Sequence, residues 1–598
     1  MAVPEPVIQR DQVGGVTILW ADSGRPQLRA SLAFRAGVVD EVMPTRGWTH
    51  LLEHAALHGT TAPSGTPGLA VNGSTWLLYT SLDATGSPQG VAQALGRAAQ
   101  HLAQLDPAAI QTEAKVLAAE ASRPIRRTFN AALLHHFGVV GPGLVATMET
   151  GLPLANPEAL ASFAANRFTS GNAVLCLDGP PPPGLAEALA QALPGGPRRP
   201  VPPPVQLPNA AGVYKLDGGG GVVASAVLPR AGAPGTMARL LRQRVAEAAW
   251  RQLGLEVQPE VNLETLGPDQ LWLALGLWVT PQDAAAVAQL VVAQARQLAA
   301  EGPRQVELSD QVEVAQTDLA AAVAKGILPW QVGQDFLLGR PVKQPAELGA
   351  DLQVGAHEVA ATAGAFIDGL ALAVPPTVPA TDYPLPPCPR FLAEPVKGRR
   401  HRIPFGRGDM DGSSLVVGHQ GLSVANGGVT TAFPWDQVVA FYHWPDGARE
   451  LLRRDGVTFL VDPADWRRGQ RVTEQIDRAL PPQVALPGEP RETRPRPRLA
   501  VGLLGEFLYS GSARRQIGAG LACFLACLLV GAVAAFLTFG PGGYDGVDAN
   551  LWQGIGLACM VIGWSAAGAM IILEPFMLFQ VVKRRRARRA GRGGTDQP

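Results

Sequence analysis

Two histidines and a glutamate within one helical turn are the side chains of this sequence best suited to chemistry. His50, Glu53 and His54 form an HxxEH pattern, and on a helix the positions i, i+3 and i+4 face the same side. Two neutral imidazoles at this spacing can bind one Zn²⁺ at about 2.0–2.1 Å, while the glutamate addresses a metal-bound water. A solvated helix with incidental histidines is the alternative, but the chain has only ten histidines, so a chance match is rare.

A catalytic zinc site needs a third protein ligand. The predicted helix 113–122 carries Glu113 and Glu120, which lie seven residues apart and therefore share a face across two turns. Periodicity alone does not choose between these glutamates, and a solvated acidic face is the alternative. His58 lies one turn beyond His54, and we interpret it as a packing or surface residue.

The elements that position these residues recur later in the chain. Ser87-Pro88 and Thr280-Pro281 each begin a long Ala-rich helix, with an N-cap residue followed by proline at the first helical position. An alternating segment precedes each pair, at 75–82 and at 271–279. A second predicted helix follows each Ala-rich helix, at 113–122 and at 310–323. The parallel predicts two similar α+β halves produced by duplication, although Ala-rich helices can imitate one another.

Proline-rich segments divide the chain, since they continue neither helices nor central strands. They lie at 195–208, 374–389 and 481–498. The resulting regions are a catalytic half at 1–200, a second half at 206–380, a small β domain at 395–480 and a membrane region at 500–598. Several domains are expected in a chain of 598 residues, because a single core stops growing near about 250–300 residues.

The third region shows short alternating runs separated by Asn-Gly and Asp-Gly turns, which predict antiparallel strands. Val472, Ile476 and Leu480 follow at intervals of four and predict one apolar face of a short helix. Several strands followed by one helix resemble a pleckstrin-homology-like domain, with another small β-barrel as the alternative. We expect this region to contact a protein partner or to act as a spacer, and a lipid-binding role is the alternative.

Composition excludes several classes of protein. Apolar residues make up 47% and charged residues 17%, which disfavours an intrinsically disordered chain. Lys+Arg and Asp+Glu balance at 50 each, so no basic body for binding nucleic acid is present. The five cysteines show no spacing typical of a disulfide framework or a Cys-based zinc site.

Two long apolar segments near the C-terminus, at about 517–539 and 551–573, predict a transmembrane hairpin, since each could cross about 30 Å of hydrocarbon as a helix. Arg514 and Arg515 precede the first segment, a basic cluster at 583–592 follows the second, and the loop between the segments has no Lys or Arg. The positive-inside rule then places both flanks in the cytoplasm. We therefore expect an integral protein of a bacterial-type inner membrane, with its catalytic domains and both termini cytoplasmic. A buried globular hairpin is the alternative.

Residues 15–180 resemble the insulinase–pitrilysin family of zinc peptidases, which includes the mitochondrial processing peptidases. The shared pattern begins with a strand ending in Gly-x-x-x-Glu, continues with a glycine, the HxxEH signature of inverzincins and Gly-Thr, and ends with an Asn-x-x-Thr edge strand and two glutamates seven apart. The matching residues here are Gly37, Glu41, Gly47, His50, Glu53, His54, Gly59, Thr60, Asn72, Thr75, Tyr79, Glu113 and Glu120.

The resemblance implies roles for individual residues. His50, His54 and Glu120 would bind one Zn²⁺ per chain, with Glu113 as a supporting acid. Glu53 would be the catalytic base. Asn72 would hold the backbone of a peptide substrate beside the edge strand.

The resemblance also implies a clam-shell of two halves in which only the first binds zinc, and the second half here has no HxxEH. Family members often present an Arg and a Tyr from the second half to the substrate. Arg251 has a similar setting, but Glu256 and Val257 follow where tyrosine is expected. The sequence therefore predicts a membrane-anchored zinc endopeptidase that hydrolyses peptides or unfolded segments. A pseudopeptidase that serves as a peptide-binding scaffold at the membrane is the alternative.

Overall fold

The computed structural model describes residues 7–60, 68–121, 128–208, 211–216, 221–377, 383–388, 394–403, 413–426, 429–491, 525 and 529. The predicted transmembrane hairpin therefore lies outside the described residues, apart from two single positions. Within the described ranges, no helix combines the length and the apolar character needed to cross a bilayer.

The first half is built on a six-stranded mixed sheet. Its strands are β1 (Gln9–Val13), β2 (Val16–Trp20), β3 (Leu28–Phe34), β4 (Ala70–Thr75), β5 (Thr80–Gly86) and β6 (Ala173–Leu177). The order across the sheet is β1-β2-β6-β3-β5-β4, with β2 and β6 parallel and the other neighbours antiparallel. β4 is thus an edge strand, reached through the antiparallel hairpin β4–β5.

Helices cover one face of this sheet. They are α1 (Trp48–Leu57), α2 (Pro88–Ala103), α3 (Pro107–Ala121), α5 (Pro157–Ala165) and α6 (Leu185–Ala192). A further helix, α4 (Thr128–Phe137), packs instead in an apolar cluster with residues of the second sheet. α1 and α2 pack against each other and against the strands, and Leu51 and Leu95 are buried with Leu32 and Leu82 of the sheet. This apolar layer holds α1, with its HxxEH pattern, against the edge of the sheet.

The second half repeats much of this arrangement. Its sheet has the order β7-β11-β8-β10-β9, formed by β7 (Gly212–Lys215), β8 (Val222–Pro229), β9 (Glu260–Thr265), β10 (Gln270–Leu277) and β11 (Ala371–Val374). Its helices are α7 (Pro234–Ala248), α8 (Ala284–Glu301), α9 (Gln305–Ala324), α10 (Leu328–Leu337), α11 (Pro345–Asp351) and α12 (Ala356–Asp368). In both halves an edge hairpin leads into two consecutive long helices, as the repeated sequence pattern predicts.

The two predicted helix starts have different outcomes. α2 begins at Pro88, and the Ser87 hydroxyl accepts the backbone N–H of Gly90, so this cap is confirmed. α8 begins at Ala284 rather than at Pro281. The Thr280 hydroxyl donates to the Asp283 carboxylate instead of accepting a helix N–H, so the helix starts one turn later than predicted.

The opposite face of the first sheet is covered by α10 of the second half. Gly333 lies so close to Cys176 of β6 that a Cβ at this position would overlap the Cys176 sulfur. Covering β6 from both sides explains why all five of its residues are buried. The Tyr79 hydroxyl accepts a 2.7 Å hydrogen bond from Gln334 of α10, which ties the β4–β5 connection to the second half.

The third region, residues 394–491 and here named the β domain, consists of two four-stranded sheets and a helix. The sheets have the orders β12-β13-β14-β15 and β18-β17-β16-β19. The elements are β12 (Arg399–His401), β13 (Ser414–Val417), β14 (Gly421–Asn426), β15 (Val429–Pro434), β16 (Val438–His443), β17 (Arg449–Arg453), β18 (Thr458–Val461), α13 (Gly469–Ala479) and β19 (Ala485–Pro487).

The apolar face predicted from Val472, Ile476 and Leu480 is confirmed, because all three side chains are buried in the core of the β domain. The described residues show no closed barrel, so neither the pleckstrin-homology-like domain nor the alternative small β-barrel is shown. Their strands pair within two separate sheets that share this core instead of joining edge to edge.

Candidate metal centre

The N-terminus of α1 is fixed by a carboxylate from the preceding loop. Glu41 accepts the backbone N–H groups of Gly47 at 3.0 Å and Thr49 at 2.7 Å, and it pairs with the Arg46 guanidinium at 3.1 Å. These bonds satisfy two N–H groups that every helix leaves free at its start. Burial raises the pKa of Glu41, although Arg46 and both N–H groups lower it.

Gly47 is required at this helix start. Its φ of 98° lies in the left-handed region that favours glycine. A Cβ at Gly47 would also approach the Cβ of Glu149 within 2.7 Å. The glycine before HxxEH therefore allows the chain to turn sharply into α1 while another loop passes close beside it.

The imidazoles of His50 and His54 lie next to each other, with ring centroids 4.9 Å apart. Each Nδ1 contacts a carboxylate, namely Glu149 Oε1 at 2.9 Å for His50 and Glu113 Oε2 at 3.1 Å for His54. Each Nε2 faces another carboxylate, namely Glu53 Oε2 at 3.8 Å for His50 and Glu120 Oε2 at 3.9 Å for His54. A carboxylate on Nδ1 selects the tautomer whose Nε2 lone pair is available to a metal.

Glu53 lies between α1 and the edge strand. Its carboxylate accepts a 3.3 Å hydrogen bond from the Thr75 hydroxyl. A Cβ on Gly73 would overlap Glu53 Oε1, so β4 passes directly over this carboxylate. Burial raises the pKa of Glu53, against the lowering effect of the His50 and His54 charges. A carboxylate whose pKa is raised is a stronger proton acceptor than an ordinary glutamate.

The two glutamates of α3 have distinct positions. Glu113 contacts His54 on one carboxylate oxygen and the Nδ1 of His58 at 2.7 Å on the other. Glu120, whose side chain is 40% exposed, lies nearer the Nε2 side of His54. The structure thus places Glu113 beside the Nδ1 of His54 and Glu120 beside its Nε2. His58 contacts Glu113, which is more specific than the packing or surface role we expected.

The ligand atoms of His50, Glu53 and His54 lie within 4.8 Å of one another. In the described part of the chain, this is the one group of three or more such side chains that could hold a metal ion. The donor set of imidazole nitrogens with carboxylates fits Zn²⁺, and both Nδ1 atoms are engaged in the manner typical of zinc sites. The residues present therefore fit the metal that the sequence predicts.

Glu149 is the residue near the centre that sequence reasoning missed. It lies in a loop 99 positions from His50, and no local pattern marks it. Burial by itself lowers the pKa of His50, but the hydrogen bond and charge of Glu149, together with the charges of Glu53 and Glu120, raise it above its ordinary value. Burial alone would raise the pKa of Glu149, whereas its contact with His50 lowers it.

Asn72 lies on β4, with an exposed side chain and opposite Asp83 in the strand register. Successive residues of a strand face opposite sides. Because Gly73 and Thr75 face Glu53, Asn72 lies on the other face of β4. Within the described residues, β4 pairs with β5 on one side, and its other edge leaves backbone groups available to an added strand.

In the described part of the second half, Arg251 pairs with a neighbouring helix residue and not with the candidate metal centre. Arg251 lies on a π-helical turn, Ala249–Leu253, and its side chain is 74% exposed and pairs with Glu247 at 3.3 Å. Its contact with a substrate, which the family resemblance suggests, stays a prediction.

Comparison with known proteins supports the fold. No protein-family model matches the chain, and no curated protein matches it significantly. The first half of the periplasmic protease PqqL from Escherichia coli is similar, with 17% identity and a TM-score of 0.51 over 64% of this chain and 95% of that one. The whole PqqL gives 15% identity and a TM-score of 0.50, covering 73% of this chain and 56% of that one. The chain spans about half the length of the whole protease, and it has the insulinase-like α+β fold.

Proposed function

We propose that this protein is a membrane-anchored, zinc-dependent endopeptidase that hydrolyses peptide bonds in peptides or unfolded segments. The carrying observation is the convergence of His50, Glu53 and His54 within 4.8 Å, with Glu120 at 3.9 Å from His54. The insulinase-like fold agrees with this function, because it places these residues against an edge strand that can accept a peptide.

The metal ligands in this proposal are His50, His54 and Glu120. Two imidazoles and one carboxylate are a ligand set found in catalytic zinc sites, which keep a further position open. When bound, Zn²⁺ would polarise the carbonyl of a peptide bond and lower the pKa of a water molecule. Glu113 supports this set by contacting His54 at Nδ1.

Glu53 is the general base in this proposal. Its carboxylate lies 3.8 Å from the Nε2 of His50, on the side where the proposed ligands converge. Burial raises its pKa, which favours its taking a proton from the attacking water and returning it to the leaving amine. The Thr75 hydroxyl holds one oxygen of this carboxylate in place.

The free edge of β4 is the proposed peptide-binding element. A peptide that adds as a further strand gains backbone hydrogen bonds independent of its sequence, which suits extended or unfolded substrates. Asn72 is an exposed residue of this strand and would contact the backbone of the peptide. The predicted hairpin at 517–539 and 551–573 would anchor the enzyme in the membrane with the catalytic domains in the cytoplasm, and the β domain would contact a protein partner.

A pseudopeptidase is the second candidate. The second half offers no tyrosine after Arg251, and Arg251 is paired with Glu247 of the preceding helix. A two-halved protein with an intact metal site, whose second half does not position the substrate, would bind peptides without hydrolysing them efficiently. Zinc content alone does not separate these candidates if the metal is retained, so hydrolysis has to be measured.

The test uses the full chain with a mixed peptide library, with and without a chelator, and mass spectrometry of the products. We expect chelator-sensitive cleavage that falls about 10²–10⁴-fold in Glu53→Gln, because the base is lost while its shape is kept. Glu187→Gln, on the exposed face of α6, is the matched control. Full hydrolysis by Glu53→Gln would rule out the proposed mechanism, and a zinc-loaded wild type without hydrolysis would favour the pseudopeptidase.

A further inference from the structure

We propose that Glu149 is a positioning residue for His50, and that the β domain holds the loop that carries it. The loop comprises residues 138–151 and is here named the site loop. This inference rests on the proposed function, since it concerns the same metal centre. It adds a residue and a domain to the machinery that sets metal affinity.

The first step is the contact itself. Glu149 Oε1 lies 2.9 Å from His50 Nδ1, and the carboxylate side chain is only 15% exposed. Arg46 lies 3.6 Å from the same oxygen and helps to keep it in place. Glu113 makes the same kind of contact with His54, so the Nδ1 of each imidazole contacts one carboxylate.

The second step is the attachment of the site loop to the start of α1. The Thr150 hydroxyl donates to the Met43 carbonyl at 2.8 Å, and the Gly151 N–H donates to the Arg46 carbonyl at 2.9 Å. The Trp48 indole N–H donates to the Gly151 carbonyl at 2.8 Å. These bonds fix the C-terminal end of the site loop against the residues that lead into the HxxEH turn.

The third step is the attachment of the other end of the site loop to the β domain. The Val139 N–H donates to the Arg454 carbonyl at 2.8 Å. Gly138 lies so close to this carbonyl that a Cβ would overlap its oxygen. Leu144 of the site loop belongs to one buried apolar cluster with Ala440 and Leu452 of the β domain. The β domain therefore supports the site loop through backbone and apolar contacts.

These steps link the β domain to a metal ligand. Residues behind a ligating histidine fix its tautomer and ring orientation, and their loss typically weakens metal binding about 10- to 100-fold. A shift of the β domain would act on the site loop, then on Glu149 and then on His50. A partner that binds the β domain could thus alter the metal centre without touching it.

The first experiment measures the zinc affinity of the full chain by competition with a chelating dye. We expect Glu149→Ala to bind zinc about 10- to 100-fold more weakly than the wild type. Glu149→Gln keeps an acceptor for the imidazole N–H and should recover part of that loss, which a purely structural defect would not show. Glu158→Ala, exposed on α5, is the matched control and should bind like the wild type.

Two outcomes separate the inference from the proposed function. A wild type that takes up no zinc contradicts the proposed function. A wild type that binds zinc, together with a folded Glu149→Ala of equal affinity and an unchanged absorption spectrum of bound Co²⁺, overturns the role of Glu149 alone.

The second experiment tests the β domain with two glycines of the site loop. Gly138 and Gly141 both have positive φ, 70° and 50°, so replacing either by alanine strains the backbone similarly. Only Gly138 faces the Arg454 carbonyl, whereas a Cβ on Gly141 would meet nothing within 4 Å. We expect Gly138→Ala to bind zinc at least several-fold more weakly than Gly141→Ala. Equal zinc affinities in the two folded variants would remove the β domain from the proposal.

Discussion

Replacing Gly73 offers a way to move Glu53 without changing its chemistry. A Cβ on Gly73 would overlap Glu53 Oε1 and would lie 2.6 Å from Cδ and 2.7 Å from Cγ. Ordinary carbon contacts need about 3.5 Å, so in Gly73→Ala the Glu53 side chain has to shift by about 1 Å, with the overlapping Oε1 moving furthest. All three of these contacts are to Glu53, so the side chain moves rather than the neighbouring backbone.

A shift of this size has a predictable effect on rate. Misplacing a catalytic group by about 1 Å can cost about 100-fold, so we expect kcat for peptide hydrolysis to fall about 100-fold in Gly73→Ala. KM should change little, because the free edge of β4 is retained. Zinc affinity should stay the same, because the proposed ligands are His50, His54 and Glu120.

The assay measures initial rates of the full chain on a peptide from the library, together with zinc affinity by dye competition. Ser74→Ala is the matched control, since Ser74 is the next residue of β4 and faces the opposite side of the sheet. A Gly73→Ala protein with wild-type kcat would refute the placement of Glu53 as the base against β4. Loss of zinc affinity in that variant would show that Glu53 acts as a ligand instead.

Three further predictions concern pH, stability and the metal. Burial raises the pKa of Glu264 to about 7, so the folded state holds a proton there that the unfolded state releases between the usual glutamate pKa and 7. The free energy of unfolding should therefore fall as the pH rises through this window. At pH values above the window, Glu264→Gln should have a higher melting temperature than the wild type, and at pH values below it the two should be equal. Glu41→Ala removes the shorter of the two carboxylate contacts of the buried Arg46, so that its charge faces only the more distant Glu149 carboxylate while its Nε still donates to the Leu144 carbonyl. We expect a loss of about 3–5 kcal/mol in the free energy of unfolding, seen by thermal or denaturant unfolding, with a smaller loss in Glu41→Gln. Saturating zinc should raise the melting temperature of the wild type, and this rise should be smaller in His54→Ala if that residue is a ligand.

The sequence predicts those parts of the centre that depend on local geometry. The HxxEH turn and the two glutamates of α3 follow from helical periodicity, and the structure brings all of these side chains together. The choice of Glu120 over Glu113 did not follow from periodicity, because both share a face and both lie near His54. It needed the family resemblance, and it stays a prediction; of the two glutamates, Glu120 faces the Nε2 of His54 and Glu113 contacts its Nδ1.

The parts that sequence did not predict depend on contacts between distant segments. Glu149 reaches His50 across 99 positions, through a loop whose path is set by contacts with the β domain and with the start of α1. The close approach of Gly73 to Glu53 depends on how α1 packs on the edge strand. Single-residue features of this kind carry no periodic signal, so neither was visible before the fold was known.

The electrostatics of the centre also follow from distant segments. Four carboxylates, those of Glu53, Glu113, Glu120 and Glu149, surround the two imidazoles. Like charges held this closely repel one another in a half-buried site, and a divalent cation would relieve that repulsion. Glu113 and Glu149 contact the Nδ1 atoms of the two imidazoles, whereas Glu53 and Glu120 face the Nε2 atoms. The site therefore separates the groups that orient its histidines from the groups that can face a metal and a substrate.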